Sequence, residues 1–409
     1  MAPWSTAELR AIRSALLSWF ERRARDLPWR RTRDPYQVWL SEVMLQQTRV
    51  ETVTPYYQRF LAAFSDVAAL ARAPLEDVLR CWSGLGYYTR ARNLHAAARI
   101  IVRERGGEFP GQADAWLELP GVGRYTAAAI ASIVSGEAVA VLDGNVKRVL
   151  SRLTCFTRPI DSPGAARRLW GMAGALLERR APGAFNQAMM ELGATVCVPR
   201  RPRCNECPIR EHCRAALRGV QARLPLRRPK SPAPQIEAVA AVLERNGRVL
   251  MVRRPPSGLL GGLWELPGGE MRDGEALDAA LCRVLHERFG LAVEVDGWIG
   301  AVRHAFTHRR LTVHVHRCRR IHGRVHPAAH DAFRWVQHSE MDRLALSSLD
   351  RRMLALLRDG PERRGRTARP RRSRTRRPGV TARPARTSGR RASGAPAANC
   401  GPQACSETR

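Results

Sequence analysis

Four cysteines near the middle of the chain constrain its folding more than any other feature. They follow the spacing Cys-x6-Cys-x2-Cys-x5-Cys, and they are Cys197, Cys204, Cys207 and Cys213. Four thiolates so close together in one loop can hold an iron–sulfur cluster or a zinc ion. The spacing and the arginines inside the loop favour the cluster, and zinc is the second choice. The segment 197–213 is therefore expected to fold around metal.

The charge of the chain points to a polyanionic partner. The formal net charge is +32 over 409 residues, and a field of that size attracts nucleic acid first. Residues 361–409 carry 14 Arg and 2 Glu among Pro, Ser, Thr, Ala and Gly, a composition that cannot build a core. Removing their +12 leaves about +20 on the rest of the chain, which still suits nucleic acid. Only two lysines are present, so an arginine-rich composition contributes part of this basicity.

The sequence divides into four parts. Residues 1–218 carry apolar side chains at helical spacing between Pro and Gly residues, and predict an all-α domain. Residues 219–235 are rich in Pro and basic side chains, and predict a semi-extended linker. Residues 236–358 combine an Asn-Gly turn between two strand-like segments with a helix that ends at Gly290, and predict an α+β domain. Residues 359–409 are expected to form a disordered basic tail.

A second motif, Leu-Pro-Gly-Val-Gly, lies at residues 119–123, inside a predicted helix-hairpin-helix at 116–133. Its glycines leave backbone N–H groups unshielded, and the helix that follows adds its positive N-terminal dipole. The turn is therefore expected to bind a DNA phosphate through Gly121, Val122 and Gly123. An ordinary tight turn between helices is the alternative, and the cysteine loop downstream favours the phosphate site.

The hairpin, the acid of VLDGNVKRVL and the cysteine loop together resemble the endonuclease III superfamily of DNA glycosylases. The resemblance implies a 4Fe–4S cluster on the four cysteines, in a loop whose arginines face DNA. Bifunctional members carry a lysine two residues after the second glycine of the hairpin, and its amine attacks the sugar and leads to strand cleavage. Here that position is Tyr125. Because a phenol cannot form an imine, base removal without strong lyase activity is expected.

Further motifs extend the resemblance, over residues 25–213, to the MutY-type adenine DNA glycosylases: LQQT, GLGYY, LPGVGRYTA, LDGNVKRV and NQAMMELGA. These enzymes remove adenine mispaired with 8-oxoguanine or guanine. The resemblance implies that Glu42 protonates the purine at N7, in a pocket that raises its pKa by desolvation. It also implies that Asp143 stays ionised and stabilises the oxocarbenium-like sugar. Tyr125 and Asn145 would hydrogen-bond around Asp143 and the sugar.

The same resemblance assigns residues to an adenine pocket and to a DNA wedge. The expected pocket residues are Arg25, Trp29, Leu45 and Glu191. A base in a duplex must be extruded before a pocket can reach it, and other side chains must fill the gap. Gln47 and Tyr87 are expected to enter the stack, and the expected neighbours of the opposite base are Gln46, Thr48 and Leu85. Core packing is the alternative for Trp29 and Tyr87.

Residues 261–291 resemble a Nudix domain. The residues that match its motif are Gly269, Glu275, Arg283, Leu285, Glu287, Gly290 and Leu291. Val284 and Arg288 replace two of the three glutamates that hold divalent metal in that motif, and hard cations need several oxygen ligands. Pyrophosphate hydrolysis is therefore not expected. MutY-type enzymes carry a Nudix-like domain that recognises 8-oxoguanine, and the resemblance implies that role for Phe306, Thr307 and His308.

These observations lead to one expected function and one alternative. The expected function is a monofunctional adenine DNA glycosylase of base excision repair, acting as a monomer on double-stranded DNA with adenine opposite 8-oxoguanine or guanine. The alternative is a Nudix-type nucleotide pyrophosphohydrolase that the helical domain tethers to DNA. The other cysteines have no paired spacing and favour a reducing compartment, and no apolar run reaches membrane-spanning length. A cytoplasmic, nucleoid-associated bacterial protein is expected, multidomain, with one 4Fe–4S cluster.

Overall fold

The computed structural model describes residues 4–229, 231–306 and 308–358. Thr307 and the expected tail at 359–409 lie outside the described residues. Within the described part, no helix is both long enough and apolar enough to cross a lipid bilayer.

The chain is helical up to Leu217, as the apolar spacing predicts. The helices are α1 Thr6–Arg23, α2 Pro35–Leu45, α3 Val50–Ala63, α4 Val67–Arg72, α5 Leu75–Trp82, α6 Thr89–Glu104, α7 Ala113–Leu117, α8 Arg124–Ile130, α9 Gly144–Leu153, α10 Ala165–Leu176, α11 Pro182–Thr195 and α12 Arg214–Leu217. Short 3-10 turns lie at Pro28–Arg30, Cys204–Glu206, Arg210–His212 and Gln221–Arg223. A π-helical turn, Ala131–Ser135, extends α8.

Short polar side chains begin several of these helices. Ser5 and Glu8 form a capping box at α1, in which each side chain bonds to the backbone N–H of the other. The starts of α2, α4 and α9 are capped by Asp34, Asp66 and Asp143, whose carboxylates accept backbone hydrogen bonds. One of the two expected catalytic carboxylates is thus also the residue at which a helix begins.

Two apolar cores hold the helices together. One contains the fully buried side chains of Trp39, Trp82 and Trp116. The other joins Ile12 and Leu16 of α1 to α9, α10 and α11. Helix α8 contributes side chains to both cores. The first helix therefore packs against the second half of the domain, and α8 lies where the two halves meet.

The rest of the described chain is an α+β domain. Its strands are β1 Gln235–Arg245, β2 Arg248–Arg253, β3 Trp264–Glu265, β4 Gly268–Glu270, β5 Ala292–Ala305, β6 Arg310–His322 and β7 Ala332–Gln337, and its helices are α13 Leu277–Phe289 and α14 Ser348–Arg358. The strand order is β3-β2-β1-β6-β5, with β4 paired to β1 and β7 paired to β2. Strands β1 and β6 are parallel, and the other pairs are antiparallel.

Local signals in the sequence account for much of this domain. Asn246 and Gly247 have φ values of 51° and 67°, the left-handed conformation that a two-residue hairpin turn requires. Helix α13 ends at Gly290, with φ 64°, as predicted. Alternate residues of β1 face opposite sides: Val239 packs with α13, and Ala240 packs with α14. The two helices therefore cover opposite faces of the sheet.

The two domains pack directly on each other, and all described residues belong to one compact unit. Leu263 and Ala345 of the α+β domain enter the first helical core. Trp264 Nε1 donates a hydrogen bond of 2.9 Å to Glu76 Oε1. Arg92 Nη1 donates to the carbonyl of Gly261 at 2.9 Å. The orientation of the α+β domain is therefore fixed by both apolar and polar contacts.

Candidate active site

A cavity of about 300 Å³ opens where the two halves of the helical domain meet. It gathers side chains that lie far apart in the sequence. Its lining includes all of the residues expected for catalysis and for the adenine pocket, namely Arg25, Trp29, Glu42, Leu45, Tyr125, Asp143, Asn145 and Glu191. A purine base fits a space of this size, which is at the lower end of the range for ligand pockets.

Glu42 is a buried carboxyl group at one wall of this cavity. It lies on α2, and the residue is 5% exposed. Burial raises the pKa of Glu42 to about 7, and the negative charge of Asp143 raises it further, while a hydrogen bond from Tyr125 and the charge of Arg30 oppose the rise. The expected upward shift of this pKa by desolvation is confirmed. A substantial fraction of Glu42 is therefore protonated at neutral pH.

Tyr125 acts on Glu42 rather than on Asp143. Its hydroxyl donates a hydrogen bond of 2.8 Å to Glu42 Oε2, and it also lies 3.1 Å from the sulfur of Met190. Asn145 bonds to Asp143 as expected, whereas the expected role of Tyr125 around Asp143 and the sugar stays a prediction. The side chain projects from α8 toward α2, which is why it reaches the carboxyl of that helix. Among the described residues this is the only protein hydrogen bond to the carboxyl group of Glu42, so its other oxygen remains available to a ligand.

Asp143 is held in place by the start of α9. Its Oδ1 accepts from the backbone N–H of Val146 at 2.7 Å, and its Oδ2 accepts from Asn145 Nδ2 at 2.8 Å. Burial raises the pKa of Asp143, and these hydrogen bonds oppose the rise. Arg148 Nη2 donates to Asn145 Oδ1 at 2.8 Å, so Arg148 fixes the amide that faces Asp143. Both carboxylate oxygens thus accept hydrogen bonds that favour the ionised form.

The backbone of Asn145 packs against a glycine of α11. A Cβ atom at Gly193 would lie 2.6 Å from the Cβ of Asn145. Real Cβ atoms do not approach so closely, so a larger residue here would push α9 and α11 apart. The glycine of the NQAMMELGA motif is thereby explained as a packing requirement of the site.

Glu191 is pinned by two arginines on the far wall of the cavity. Arg25 forms two side-chain hydrogen bonds to it, at 2.7 and 2.8 Å, and Arg30 Nη2 lies 2.7 Å from Oε2. Burial alone would raise the pKa of Glu191, but the hydrogen bonds and charges of the two arginines lower it to about 2. Glu42 and Glu191 therefore have opposite protonation behaviour within one pocket. Sequence reasoning missed Arg30, whose signal was only its position beside Trp29.

The two residues expected to enter DNA share an uncommon backbone conformation. Gln47 has φ 58° and Tyr87 has φ 50°, both in the left-handed region. Gln47 is exposed, and Tyr87 is 46% exposed despite its large ring. Strain of this kind is found where surrounding structure holds a functional side chain in position.

The three residues expected beside the opposite base differ in their exposure and in their hydrogen bonds. Gln46 Nε2 donates to Thr126 Oγ1 at 3.0 Å, which ties its loop to α8. Thr48 is half-buried and accepts a hydrogen bond from Arg90. Leu85 is only 5% exposed and packs in the first helical core. Its contact with a DNA base stays a prediction, and its burial gives that contact no support.

Arg90 links the two loops that carry Gln47 and Tyr87, and sequence reasoning did not single it out. Its buried guanidinium donates to the carbonyls of Val43, Met44 and Gln46, to the hydroxyl of Thr48 and to the carbonyl of Gly86. Burial lowers the pKa of Arg90 to about 10. A buried cation that is satisfied by carbonyls fixes the geometry of the backbone that supplies them.

The hairpin motif forms the tight turn that its sequence predicts. Helices α7 and α8 flank it, and Gly123 is the residue before α8. Gly121 has φ 78°, and a Cβ there would lie 2.6 Å from the Cβ of Asn93. Val122 is buried as an anchor, whereas the two glycines are exposed. Phosphate binding by this turn stays a prediction.

The four clustered cysteines line one small cavity behind α9 and α12. None of the four forms a disulfide. The buried guanidinium of Arg152 donates to Cys197 Sγ at 3.3 Å and to the carbonyls of Val198, Pro199 and Leu224. In the described ranges, no group of three or more His, Cys, Asp or Glu side chains is gathered closely enough to hold a metal ion. The loop thus brings all four cysteines to the lining of one cavity.

The helix that carries the Nudix-like motif uses its carboxylates for ion pairs. Glu275 pairs with Arg283 at 2.6 Å, and Glu287 lies 3.1 Å from the same guanidinium. Val284 is buried, and Arg288 donates to the carbonyl of Gly268 at 2.7 Å. Arginines therefore occupy the positions around the two remaining carboxylates.

The loop expected to recognise 8-oxoguanine joins β5 to β6. The backbone N–H of Phe306 donates to the carbonyl of Arg309 at 2.8 Å, which closes a tight turn. The ring of Phe306 is half-buried between His304 and the guanidinium of Arg309. His308 is exposed. The third member of the triplet, Thr307, is outside the described residues.

The comparisons with known proteins agree with this architecture. A model of the HhH-GPD superfamily of base excision DNA repair proteins matches residues 40–171, and a NUDIX domain model matches residues 238–356. The fold and the site therefore define a DNA glycosylase with a C-terminal Nudix-like domain. The chain is 39% identical over 375 residues to the adenine DNA glycosylase of Homo sapiens, across 76% of this chain and 67% of that protein.

Two other relatives give the same result. The adenine DNA glycosylases of Rattus norvegicus and Mus musculus are each 39% identical to the chain, over 364 and 373 residues. Each match covers 76% of this chain, and they cover 70% and 71% of those proteins. The chain belongs to the adenine DNA glycosylase family.

Proposed function

We propose that this glycosylase removes adenine paired with 8-oxoguanine or guanine in double-stranded DNA, and leaves an abasic site without cutting the strand. The observation that carries the proposal is the pairing of two buried carboxyl groups with different hydrogen-bond partners around one cavity. Glu42 has a pKa near neutrality, and Asp143 is held by hydrogen bonds that suit a carboxylate. Two such groups are what hydrolysis of a glycosidic bond requires.

Glu42 would serve as the general acid. Adenine is a poor leaving group until its ring is protonated, and a carboxyl with a pKa of about 7 can supply that proton at neutral pH. The hydrogen bond from Tyr125 fixes Oε2, so the proton would be delivered from the other oxygen. Glu191, held as an anion by Arg25 and Arg30, cannot supply a proton and would instead orient the base.

Asp143 would stabilise the positive charge that develops on the sugar as the bond to adenine breaks. A carboxylate close to the anomeric carbon offsets that charge best where water is excluded. The chain from Arg148 through Asn145 to Asp143 holds the carboxylate in position before the substrate arrives. Water would then complete the hydrolysis. With Tyr125 at the hairpin position, no amine is supplied there for a Schiff base.

Recognition of the opposite base would fall to exposed side chains outside the cavity. Gln47 and Tyr87 would fill the space that the extruded adenine leaves, supported by their left-handed backbone. The Phe306 loop of the Nudix-like domain would contact 8-oxoguanine, with His308 exposed at its tip. The turn at Gly121–Gly123 would hold a phosphate, and the protein would act as a monomer.

The cysteine loop fits a 4Fe–4S cluster better than a zinc ion. The donor set is four sulfurs around one cavity, and a guanidinium already donates to one of them, as is common beside cluster thiolates. The residues that would hold the cluster are Cys197, Cys204, Cys207 and Cys213. When bound, it would tie the loop together and fix its arginines, without taking part in base removal.

The proposal is tested with a panel of duplexes that differ only in the base opposite one adenine. Each duplex is incubated with the full-length protein, and half of every sample is then treated with alkali. Alkali-dependent cleavage at adenine opposite 8-oxoguanine and guanine, and none opposite thymine, supports the proposal. Cleavage without alkali, or no cleavage of any adenine duplex, would contradict it. The Nudix alternative is disfavoured because Arg283 is paired with both Glu275 and Glu287.

A further inference from the structure

The segment 83–88, which carries Tyr87, is hydrogen-bonded to the Nudix-like domain at Leu346 and Arg351. The hydroxyl of Ser83 donates to the carbonyl of Leu346 at 2.5 Å, and it accepts from the N–H of the same residue at 3.3 Å. Arg351 Nε also donates to the Ser83 hydroxyl, at 3.0 Å. Ser83 is 7% exposed, so these bonds are shielded from water.

Tyr88 reaches the same carbonyl from the other end of the segment. Its hydroxyl donates to the carbonyl of Leu346 at 2.8 Å and accepts from the N–H of Gly84 at 2.9 Å. Tyr88 is 3% exposed. The two hydroxyls that converge on Leu346 therefore belong to residues on either side of the loop. We call the contacts of Ser83, Tyr88, Leu346 and Arg351 the domain clasp.

The Nudix-like side of the domain clasp is rigid. Leu346 is fully buried and forms a parallel bridge with Trp264 of β3. The neighbouring carbonyl of Ala345 accepts from the N–H of Trp264 at 2.9 Å. A displacement of the Nudix-like domain would therefore be transmitted to the loop through backbone that cannot adjust independently.

The loop itself has little regular structure to hold it. Gly84, Gly86 and Tyr87 have φ values of 100°, 78° and 50°, so half of the segment 83–88 is in the left-handed region. A side chain at Gly84 would collide with the hydroxyl of Tyr56, which donates to the carbonyl of Ser83. A non-glycine residue such as Tyr87 keeps this conformation only when its surroundings impose it.

The domain clasp is also connected to the loop that carries Gln47. Arg90 donates to the carbonyl of Gly86 at 3.1 Å and to the carbonyl of Gln46 at 2.7 Å. The guanidinium lies 5.4 Å from the ring centre of Tyr87. Contacts thus run without interruption from Leu346 through the segment 83–88 to Arg90 and the second loop.

We propose that Ser83 and Tyr88 are positioning residues through which the Nudix-like domain sets the conformation of Tyr87 for base extrusion. The proposal rests on the proposed function, because it takes Tyr87 to occupy the gap in the DNA. It assigns the Nudix-like domain a second role besides contact with the opposite base. Loss of the domain clasp should reduce the population of extruded adenine while leaving the chemistry of the cavity intact.

The test uses a duplex in which fluorescent 2-aminopurine replaces the adenine opposite 8-oxoguanine. The emission of 2-aminopurine rises when this base leaves the stack. The first variant combines Ser83→Ala with Tyr88→Phe, which removes both hydroxyls and keeps the aromatic ring at position 88. Arg351→Gln tests the domain clasp from the other domain. The control is Tyr36→Phe. It removes an equally buried hydroxyl, which donates to the carbonyl of Phe64 at 2.8 Å within the helical domain and takes no part in the domain clasp.

The expected result is a drop of about tenfold in the extrusion equilibrium for the double variant, since each neutral hydrogen bond shifts an equilibrium by about three- to tenfold. Arg351→Gln should give a smaller drop, and Tyr36→Phe none. The pH at which excision falls by half should stay unchanged in every variant. Unchanged extrusion in the double variant, or an equal loss in Tyr36→Phe, would overturn the proposal. Wild-type protein that excises no adenine would contradict the proposed function instead, and the inference that rests on it.

Discussion

The hydroxyl of Tyr125 donates a hydrogen bond of 2.8 Å to Glu42 Oε2, in a cavity where burial raises the pKa of Glu42 to about 7. Tyrosine is thus a partner of the proposed acid rather than of the proposed charge stabiliser. The hydrogen bond favours the carboxylate form of Glu42 and keeps its pKa from rising further. The pair therefore holds the pKa of Glu42 near neutral pH.

This pairing predicts the pH dependence of base removal. Glu42 must be protonated to act, so excision should fall as the pH rises through about 7. Tyr125→Phe removes a hydrogen bond that lowers the pKa of Glu42, so the fall should move to higher pH. Single-turnover excision rates measured over a pH series check both effects. A Tyr125→Phe profile that moves to lower pH, or a Tyr36→Phe control that moves at all, would contradict the assignment.

The buried carboxyl of Glu42 should also reduce the stability of the folded protein at neutral pH. Below about pH 4.5 the folded and unfolded chains both hold the proton, and Glu42 has no effect. As the pH rises toward 7, the unfolded chain releases a proton that the folded protein keeps, so stability falls. Glu42→Gln should therefore raise the free energy of unfolding above pH 7 by up to about 3 kcal/mol, and change it little below pH 4.5.

Chemical denaturation at two pH values, one on each side of this range, measures that difference. The exposed Glu104 provides the control, because Glu104→Gln on the surface of α6 should have no comparable pH dependence. An equal change in Glu42→Gln at both pH values would show that burial does not set the proton affinity of Glu42.

Glu191 should behave in the opposite way. Its pKa of about 2 means that the ion pairs stabilise the folded protein fully above pH 4.5, and that this stabilisation is lost as the pH falls toward 2. Glu191→Gln leaves Arg25 and Arg30 without their anion and should cost about 2–4 kcal/mol, because both arginines are only partly exposed. Denaturation at neutral pH checks this. Asp26→Asn removes the charged partner of Arg31 at the surface and should lower the free energy of unfolding much less. An equal loss in Asp26→Asn and Glu191→Gln would show that burial does not strengthen the ion pairs of Glu191.

The cysteine loop predicts a metal content that depends on its four thiols. Purified protein should contain iron and acid-labile sulfide in equal amounts, with the visible absorption of a 4Fe–4S cluster. Cys207→Ser should lose both, while Cys155→Ser, outside the cysteine cavity, should keep both. Zinc instead of iron in the wild-type protein would favour the second choice of metal.

Local patterns allowed much of the fold and part of the site to be predicted from sequence. The Asn246–Gly247 turn and the Gly290 helix end each depend on the conformational freedom of one or two residues, which a sequence displays directly. Glu42 and Asp143 were found because each lies in a distinct motif, and Asp143 also has the side chain that begins a helix.

The remaining features depend on contacts between distant segments. Arg30 meets Glu191 across 161 residues, and Ser83 meets Leu346 across 263. No periodicity connects such pairs, because their approach follows from how the helices and the two domains pack. The hydrogen bond from Tyr125 to Glu42 was missed for the same reason, since it depends on the direction in which α8 faces α2. Leu85 was expected beside DNA, and its burial follows from the turn of the loop around Gly84 and Gly86.

The most direct test of the central claim is excision by Glu42→Gln on a duplex with adenine opposite 8-oxoguanine. The amide keeps the size of the side chain but cannot donate the proton, so the single-turnover rate should fall by about 10²- to 10⁴-fold. Binding of the same duplex should stay at the wild-type level, and Glu104→Gln should excise adenine normally. Excision by Glu42→Gln at the wild-type rate would show that Glu42 is not the acid.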